Sequence, residues 1–516
     1  MKPLAQRYAA LAANAPGGPY APPSLNPYDR VTDNDAPLGV DTDEGGVSAI
    51  ADWKIGGTTL TSISAWRFWN WDAANDRDYT GLHIQTTQHI PSRQDQYSQE
   101  FRIGSNTPGP VEYVAGLYYF HQKITGRPIS IYGPLATYWL LPAKTSPSQD
   151  ARTPALLDGY RTDGRTDFRS ESLGIFGEVT LRPVERLALT GGIRYTYEEK
   201  DGVYDVRTLG GLAPTAALQN DQQSILRAQS YSAHDGDGSA SGRVNITYDL
   251  THGIMAYASF AKGQKSGGIN MSGLPVNAAN QAVLTTAVVR PETNTTWEAG
   301  FKTRLLGGAL VFNINAYHVD VTDFQANIVD NMATVALRSY LANIPKVRVK
   351  GIEFDASAAI GSRLTLRASG AYADGEYASY PSGPCPIERT GSSTARCDLT
   401  GNALPGLPKW TGSAGGEYRL PVKAGEMFLR ADAVTRTRVL GEATGSAYTV
   451  IKGYTLVNGS VGYRMGRWEA AVFARNLFDR DFMQNLTVQA GNSGLIVGTP
   501  SEPRTIGVTV RMRLGS

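Results

Sequence analysis

Residues 172–182 read SLGIFGEVTLR, and this stretch alternates between two kinds of side chain. Leucine, isoleucine and valine occupy odd positions, whereas serine, threonine and the charged Glu178 and Arg182 occupy even ones. Successive side chains of a β-strand point to opposite faces, so the pattern predicts a strand with one apolar and one polar face. The same alternation recurs at 187–198, 243–250 and 505–514. The chain is therefore predicted to be built from strands.

The predicted strands are joined by connections that alternate between short and long. Seventeen segments are predicted, starting near residues 46, 58, 93, 111, 167, 187, 240, 254, 293, 310, 344, 364, 409, 426, 453, 468 and 503. The long connections span roughly 73–92, 128–166, 202–239, 268–292, 380–408 and 484–500. Outer-membrane barrels have short turns at one end and long loops at the other, so we expect an all-β, transmembrane antiparallel β-barrel. A soluble propeller or β-helix is disfavoured, because no fixed repeat period is apparent.

The composition excludes other classes of protein. With 49 Lys and Arg against 47 Asp and Glu, the net charge is +2, which does not indicate a nucleic-acid partner. The mean hydropathy is −0.27, and no apolar stretch approaches the roughly 18 residues of a membrane-spanning helix. Trp66, Phe68, Trp69 and Trp71 cluster where a strand enters a long connection, and we expect them to form an aromatic girdle at the outer leaflet.

The number of strands bears on the extent of the barrel. Single-chain bacterial barrels close with an even number of strands, and seventeen is odd. We therefore expect the C-terminal majority of a larger barrel. Residues 1–43 are predicted to be an extracellular loop or irregular N-terminal segment, and residues 44–516 to be the barrel.

Seven short stretches carry a resemblance to a known family. They are SQEFRI at 98–103, GQKSGGIN at 263–270, RPE at 290–292 followed by WEAGFK at 297–302, KGIEF at 350–354, LPGLPKW at 404–410, NLFD at 476–479 and PRTIG at 503–507. In this order and spacing, the chain resembles TonB-dependent outer-membrane receptors of the siderophore-receptor type.

The resemblance implies both an architecture and a function. Family barrels have about 22 strands, so the strands here would be six to twenty-two. Family members also carry a plug domain preceded by a box that engages TonB, and neither is visible in this sequence. The implied function is energy-coupled uptake of a ferric siderophore or similar ligand across the outer membrane of a Gram-negative bacterium. The implied partners are outer-membrane lipid and the TonB–ExbB–ExbD complex, the latter reached through a plug. We expect no cofactor, bound metal or nucleic acid.

Charged side chains on the predicted inward face have two possible roles. They could bind a plug and line a solute path, or they could simply belong to the water-filled lumen of a wide barrel. Both interpretations stay open for Glu178, Arg182, Arg194, Arg243, Arg367, Arg430 and Arg511.

Ligand-binding candidates lie in the first long connection. Arg77 could bind a catecholate or carboxylate ligand that stacks on Tyr79, although an ion pair within the loop is the simpler interpretation. His83 and His89 could ligate a metal complex or haem, although exposed histidines are usually just polar. The ligand itself is not predicted by the loop composition.

The two cysteines and the absence of a catalytic motif complete the expectations. Cys385 and Cys397 are separated by eleven residues rich in Gly, Ser, Thr and Pro, a spacing that suits a local disulfide. An outer-membrane lipase or protease would need a serine nucleophile with a histidine and a carboxylate, and no such scheme is recognisable, so we expect no enzymatic activity. A passive porin-like channel is the alternative function.

Overall fold

The fold is known from a computed structural model, which describes residues 11, 20–24, 26–141, 152–277, 281–330, 338–389, 396–488 and 495–513. Of the predicted N-terminal segment, residues 1–10, 12–19 and 25 lie outside the described residues. The first strand begins at Gly39, and the predicted division between residues 43 and 44 stays a prediction.

Seventeen long strands form the wall of the barrel within the described residues. In chain order they are β1 (Gly39–Ile55), β2 (Thr58–Ala74), β3 (Ser92–Ser105), β4 (Val111–Gly126), β5 (Arg161–Val184), β6 (Leu187–Leu209), β7 (Gln229–Thr251), β8 (Ile254–Lys265), β9 (Glu292–Leu305), β10 (Leu310–Asp330), β11 (Arg338–Ile360), β12 (Leu364–Ser379), β13 (Trp410–Val422), β14 (Gly425–Arg436), β15 (Tyr454–Met465), β16 (Trp468–Arg475) and β17 (Thr505–Met512). The predicted all-β antiparallel barrel architecture is confirmed.

Each strand pairs antiparallel with the next one along the chain. The first pair runs from Gly39 opposite Ala74 to Ile55 opposite Thr58, and the last pair joins β16 to β17. Within the described residues, β1 has no strand partner besides β2, and β17 none besides β16. These two strands are the edges of the sheet.

Alternation along the strands separates an apolar outer face from a polar inner face. Leu173 and Ile175 are 57% and 58% exposed on one face, whereas Ser170 and Ser172 are buried on the other. The same division continues across neighbouring strands, because side chains of directly paired residues point to the same face. Apolar side chains at such exposed positions suit contact with lipid.

Short turns join the strands at one end of the barrel. β1–β2, β11–β12 and β15–β16 are connected through Gly56, Gly361 and Gly466, each with a positive φ between 55° and 62°. Only glycine adopts this backbone region at little cost, which explains the glycines at these tight turns.

Long connections lie at the other end and contain the remaining elements, apart from one 3₁₀ turn before β1 and one in a short turn. The helices are Ala136–Leu140 and Ala216–Ile225, with 3₁₀ turns at Pro27–Asp29, Pro154–Leu156, Leu284–Thr286, Ile387–Arg389 and Ala447–Thr449; a further 3₁₀ turn, Leu306–Gly308, lies in a short β9–β10 turn. The short strands are Thr87–His89, Ile129–Ile131, Gly268–Ile269, Val288–Val289, Val439–Leu440, Val450–Ile451, Met483–Val488 and Ile496–Pro500. No helix in the described ranges has the length and apolar character needed to cross a bilayer.

Two predicted connections were too long for the same reason. The connection predicted over 202–239 spans only 210–228, because β6 continues to Leu209 and β7 begins at Gln229. The one predicted over 128–166 ends at Tyr160, because β5 begins at Arg161. These strand ends carry charged or polar side chains on their outward face, so the apolar alternation used for prediction stops before the strand does.

The proposed girdle is divided between the two faces of β2. Trp66 and Phe68 lie on the outward face, with their rings 5.5 Å apart, and Trp66 is directly opposite the exposed Tyr97. Trp69 and Trp71 stack on each other at 5.9 Å on the inward face. Residues of opposite parity cannot share one face of a strand, so only two of the four rings can belong to an outer girdle.

Many of the most deeply buried apolar residues lie in the long connections and in the strand ends beside them. One cluster contains Trp139, Leu156, Leu157 and Tyr160, and a second contains Ile344, Tyr377 and the two cysteines. We call these two groups the loop cores.

Candidate ligand site and inward-facing charges

A cavity of about 870 Å³ opens among the long connections. It is lined by Asn75, Arg77, Gln88, Ile90, Pro128, Ile129, Ser130, Thr162, Thr166, Tyr204, Ile225, Leu226, Arg227, Ile269, Asn270, Met271, Ser272, Gly273, Leu274, Pro275, Asn327, Ser339, Tyr340 and Leu341. Its volume lies within the range of about 300–1,000 Å³ that is typical of small-molecule sites.

Hydrogen bonds hold the wall of this cavity together. The Asn270 amide donates to the carbonyl oxygens of Thr286 and Leu341 at 2.7 and 2.9 Å, and its own oxygen accepts from the Leu341 N–H at 2.8 Å. The Gln229 side chain makes a reciprocal pair with the backbone of Leu274, with both bonds at 2.8 Å. The β8–β9 connection is thereby fixed to the ends of β7 and β11.

The polar lining of the cavity is positively charged. Arg77 and Arg227 are the charged residues among its described lining residues. Tyr204 and Tyr340 supply aromatic surface, and Tyr204 is held by stacking on Tyr231 at 5.0 Å. Guanidinium groups bind carboxylates and other oxyanions through two parallel hydrogen bonds, so the arrangement suits an anionic ligand with aromatic or apolar parts.

Only one of the three predicted ligand-binding residues reaches this cavity. Arg77 lines it, whereas Tyr79 and His83 do not. Tyr79 is 43% exposed with φ of 56°, and the His83 ring nitrogen Nδ1 lies 2.6 Å from Asp35. His89 faces a different carboxylate, Asp72, at 2.8 Å. The two histidines therefore have separate acidic partners.

The residues that sequence reasoning missed come from distant parts of the chain. Arg227 and Tyr340 have no neighbours in sequence that would mark them as ligand-binding. Asn270 did carry a signal, because it ends the family-like stretch at 263–270.

Three aspartates, Asp35, Asp76 and Asp78, converge beside this site, and we call them the aspartate cluster. Asp76 and Asp78 are 0% and 2% exposed. Burial raises the pKa of Asp78 to about 7, and the neighbouring Asp76 carboxylate adds to the effect. Burial also raises the pKa of Asp35, although the hydrogen bond from His83 partly offsets it.

The seven predicted inward-facing residues lie on the face opposite the exposed apolar side chains. Glu178 and Arg243 form a two-point ion pair at 2.7 and 2.9 Å, and Arg182 contacts Glu112 at 2.7 Å. Arg194 lies over the Tyr118 ring, 5.4 Å from its centroid.

The remaining inward-facing residues lie on β12, β14 and β17. Arg367 lies directly opposite Ser357 and Gly415 on the two neighbouring strands, and Arg511 lies directly opposite Glu469 on β16. Arg430 donates to Glu417.

The densest group of inward charges surrounds Phe428. Arg430 and Arg464 lie 4.3 and 4.4 Å from the centroid of this ring, which is 2% exposed. Arg464 contacts Glu469 at 2.8 Å, Glu426 at 2.9 Å and Glu417 at 3.5 Å. Arg464 thus contacts three carboxylates, and Arg430 contacts two of the same three, Glu417 and Glu469.

Cys385 and Cys397 are joined in a disulfide within the β12–β13 connection. This loop contacts the β14–β15 connection, because Glu388 accepts from the Ser446 hydroxyl and the Ala447 N–H at 2.9 and 2.8 Å.

Comparison with known proteins agrees with the fold. Residues 3–477 match the model of the family described as TonB dependent receptor-like, beta-barrel. The ferric yersiniabactin uptake receptor FyuA from Yersinia pestis is similar in structure, with 16% identity and a TM-score of 0.67, over 91% of this chain and 61% of that one.

Two further solved structures show the same likeness. The siderophore receptor PiuA from Acinetobacter baumannii has 15% identity and a TM-score of 0.64, over 91% of this chain and 64% of that one. The copper transporter OprC has 17% identity and a TM-score of 0.62, over 91% of this chain and 65% of that one. This chain therefore spans between 61% and 65% of the length of these three proteins. On the family match, which covers most of its length, the chain belongs to the TonB-dependent receptors and comprises their β-barrel region.

Proposed function

We propose that this chain forms the barrel of an outer-membrane transporter that takes up an anionic, iron-siderophore-like chelate in a Gram-negative bacterium. The observation that carries the proposal is the cavity among the long connections, whose charged lining residues in the described part of the chain are Arg77 and Arg227. Similar barrels include uptake receptors for ferric chelates, which agrees with this ligand class. Proteins of this family are transporters and receptors rather than enzymes.

Uptake would depend on the TonB–ExbB–ExbD complex acting through a plug inside the barrel. The inward-facing ion pairs, such as Glu178 with Arg243, offer hydrogen-bonding groups to such a plug. If they bind it, Arg194→Ala and Arg243→Ala in a receptor with its plug in place will speed hydrogen exchange of plug amides. Unchanged protection would leave these residues as lining of a hydrated lumen. The family match gives no support to the alternative of a passive porin-like channel.

Binding of a ferric catecholate or ferric citrate to the detergent-solubilised protein tests the ligand class. We expect Arg77→Ala and Arg227→Ala each to weaken binding about tenfold or more, because a charge-assisted hydrogen bond contributes roughly 1.5–3 kcal/mol. Arg93→Ala is the matched control, since Arg93 is 67% exposed, pairs with Asp95 and lies outside the cavity. Equal affinity in all three variants would reject the cavity as the site.

A further inference from the structure

The aspartate cluster concentrates negative charge away from solvent. One carboxylate oxygen from each of Asp35, Asp76 and Asp78 lies within 4.8 Å of the others. Asp76 and Asp78 are nearly inaccessible, and the side chain of Asp35 is only 7% exposed. Desolvated carboxylates this close repel one another strongly when ionised, so a bound cation would stabilise them.

Much of the cluster's hydrogen bonding comes from neutral donors. Backbone N–H groups of Asp35, Asp78 and Tyr79 donate to Asp76. Thr80 and Gln85 donate to Asp78. Neutral donors orient the carboxylates but do not balance their charge.

Asp35 supplies an independent sign that a ligand is required. Its Oδ2 contacts His83, but its Oδ1 is buried with no hydrogen-bond partner among the described residues. A buried acceptor without a partner is costly, and such atoms commonly mark the place of a bound ion or water.

We propose that Asp35, Asp76 and Asp78 bind a divalent cation, and that the cation is Ca²⁺. All three donors are carboxylates, which hard cations prefer, whereas the one nearby imidazole already contacts Asp35 through Nδ1. Calcium binds six to eight oxygen ligands in flexible geometry. Water molecules or carbonyl groups can therefore supply the ligands that the three carboxylates do not. Magnesium demands a stricter octahedron and is therefore the weaker candidate.

The position of the site defines what the ion would do. Asp35 precedes β1, whereas Asp76 and Asp78 belong to the β2–β3 connection, so one ion would join two segments about forty residues apart. Arg77 lies between two of the ligands and lines the cavity. If the proposed ligand site is correct, the ion would also help to position this arginine.

Calcium titration of the refolded, chelator-treated protein tests the site. Refolding from inclusion bodies avoids lipopolysaccharide, which itself carries divalent cations. By isothermal titration calorimetry we expect one Ca²⁺ per chain with a Kd of about 10⁻⁴–10⁻³ M, the range of extracellular calcium modules. MgCl₂ and NaCl of equal ionic strength should give a much weaker response.

Asp76→Asn and Asp78→Asn should each weaken calcium binding at least tenfold. Asp95→Asn is the control, because Asp95 pairs with the exposed Arg93 away from the cluster. Heat-modifiable mobility on gels establishes that each variant is folded. Folded Asp76→Asn with unchanged calcium affinity would overturn the proposal.

If neither cluster variant folds, the unmodified protein decides the question. We expect about 5 mM Ca²⁺, above the usual range of such sites, to raise its unfolding temperature relative to Mg²⁺. No shift, together with no bound ⁴⁵Ca²⁺ in equilibrium dialysis, would refute the calcium site. These readouts need no transported ligand, so they separate this inference from the proposed function.

Discussion

Replacing Arg464 by methionine should destabilise the barrel far more than removing an average surface arginine. The guanidinium makes hydrogen bonds of 2.8 and 2.9 Å to Glu469 and Glu426, and it lies 3.5 Å from Glu417. Methionine keeps much of the apolar stem of the side chain but removes the charge. The carboxylates of Glu417, Glu426 and Glu469, which are 15–32% exposed, would then repel one another with less positive charge beside them.

The expected magnitude follows from these contacts. Two charge-assisted hydrogen bonds contribute roughly 1.5–3 kcal/mol each. Partial exposure favours the lower end of that range, while the lost cation–π contact with Phe428 adds about 0.5–1 kcal/mol. We therefore expect Arg464→Met to lower the free energy of unfolding by about 3–4 kcal/mol.

Denaturant-induced unfolding in lipid vesicles, followed by tryptophan fluorescence, measures this loss. Arg93→Met is the matched control, because Arg93 is 67% exposed and pairs with Asp95, and such pairs contribute at most about 1 kcal/mol. Arg464→Lys should recover part of the loss, since lysine restores the charge without the planar fork. The reasoning fails if Arg464→Met and Arg93→Met differ by less than about 1 kcal/mol.

Three further outcomes are expected. Without divalent cations, the free energy of unfolding should fall as pH rises from about 4 to 7. Burial raises the pKa of Asp78 from 3.8 in the unfolded chain to about 7 in the folded protein, so in this range the folded state binds the proton more tightly. Asp78→Asn should flatten this part of the plot of unfolding free energy against pH. Ile193→Arg on the outward face should cost about 2–4 kcal/mol in vesicles, whereas Asn245→Arg on the inward face should cost less, and equal losses would contradict the assignment of faces. Mass spectrometry of protein from outer membranes should find Cys385 and Cys397 joined, and two free thiols would refute the disulfide.

Strand positions next to short turns were predictable from the sequence. The segments predicted to start near 187, 254, 310, 364 and 468 begin at those residues. A tight turn and the apolar alternation beside it are both local, so a window of about ten residues contains the information.

Strand ends at the long connections were less predictable. β7 begins at Gln229 rather than near 240, and β11 at Arg338 rather than near 344. Beyond the lipid both faces of a strand meet water or loops, and the outward face no longer needs apolar residues. The extended part of β7 carries Ser230, Ser232 and His234 on that face.

The candidate sites depend on contacts that no local pattern contains. The cavity joins Arg77, Arg227 and Asn270 from three separate connections with Tyr340 from the start of β11. The aspartate cluster adds Asp35 from a segment that sequence analysis treated only as irregular. Arg77 was found because a charged and aromatic stretch surrounds it, whereas its partners depend on how the loops fold over the barrel.

The loop cores should tolerate substitution less well than the lipid-facing wall of the barrel. Trp139, Leu157 and Tyr377 are almost inaccessible and must fit one another in shape. A lipid-facing position such as Val508 needs only an apolar side chain, since fluid acyl chains adapt to side chains of different shape. In a library of random variants, the lipid-facing positions of the strands should therefore tolerate most exchanges among aliphatic residues. Intolerant positions should concentrate in the long connections, although loops are elsewhere the part of a protein that varies most freely.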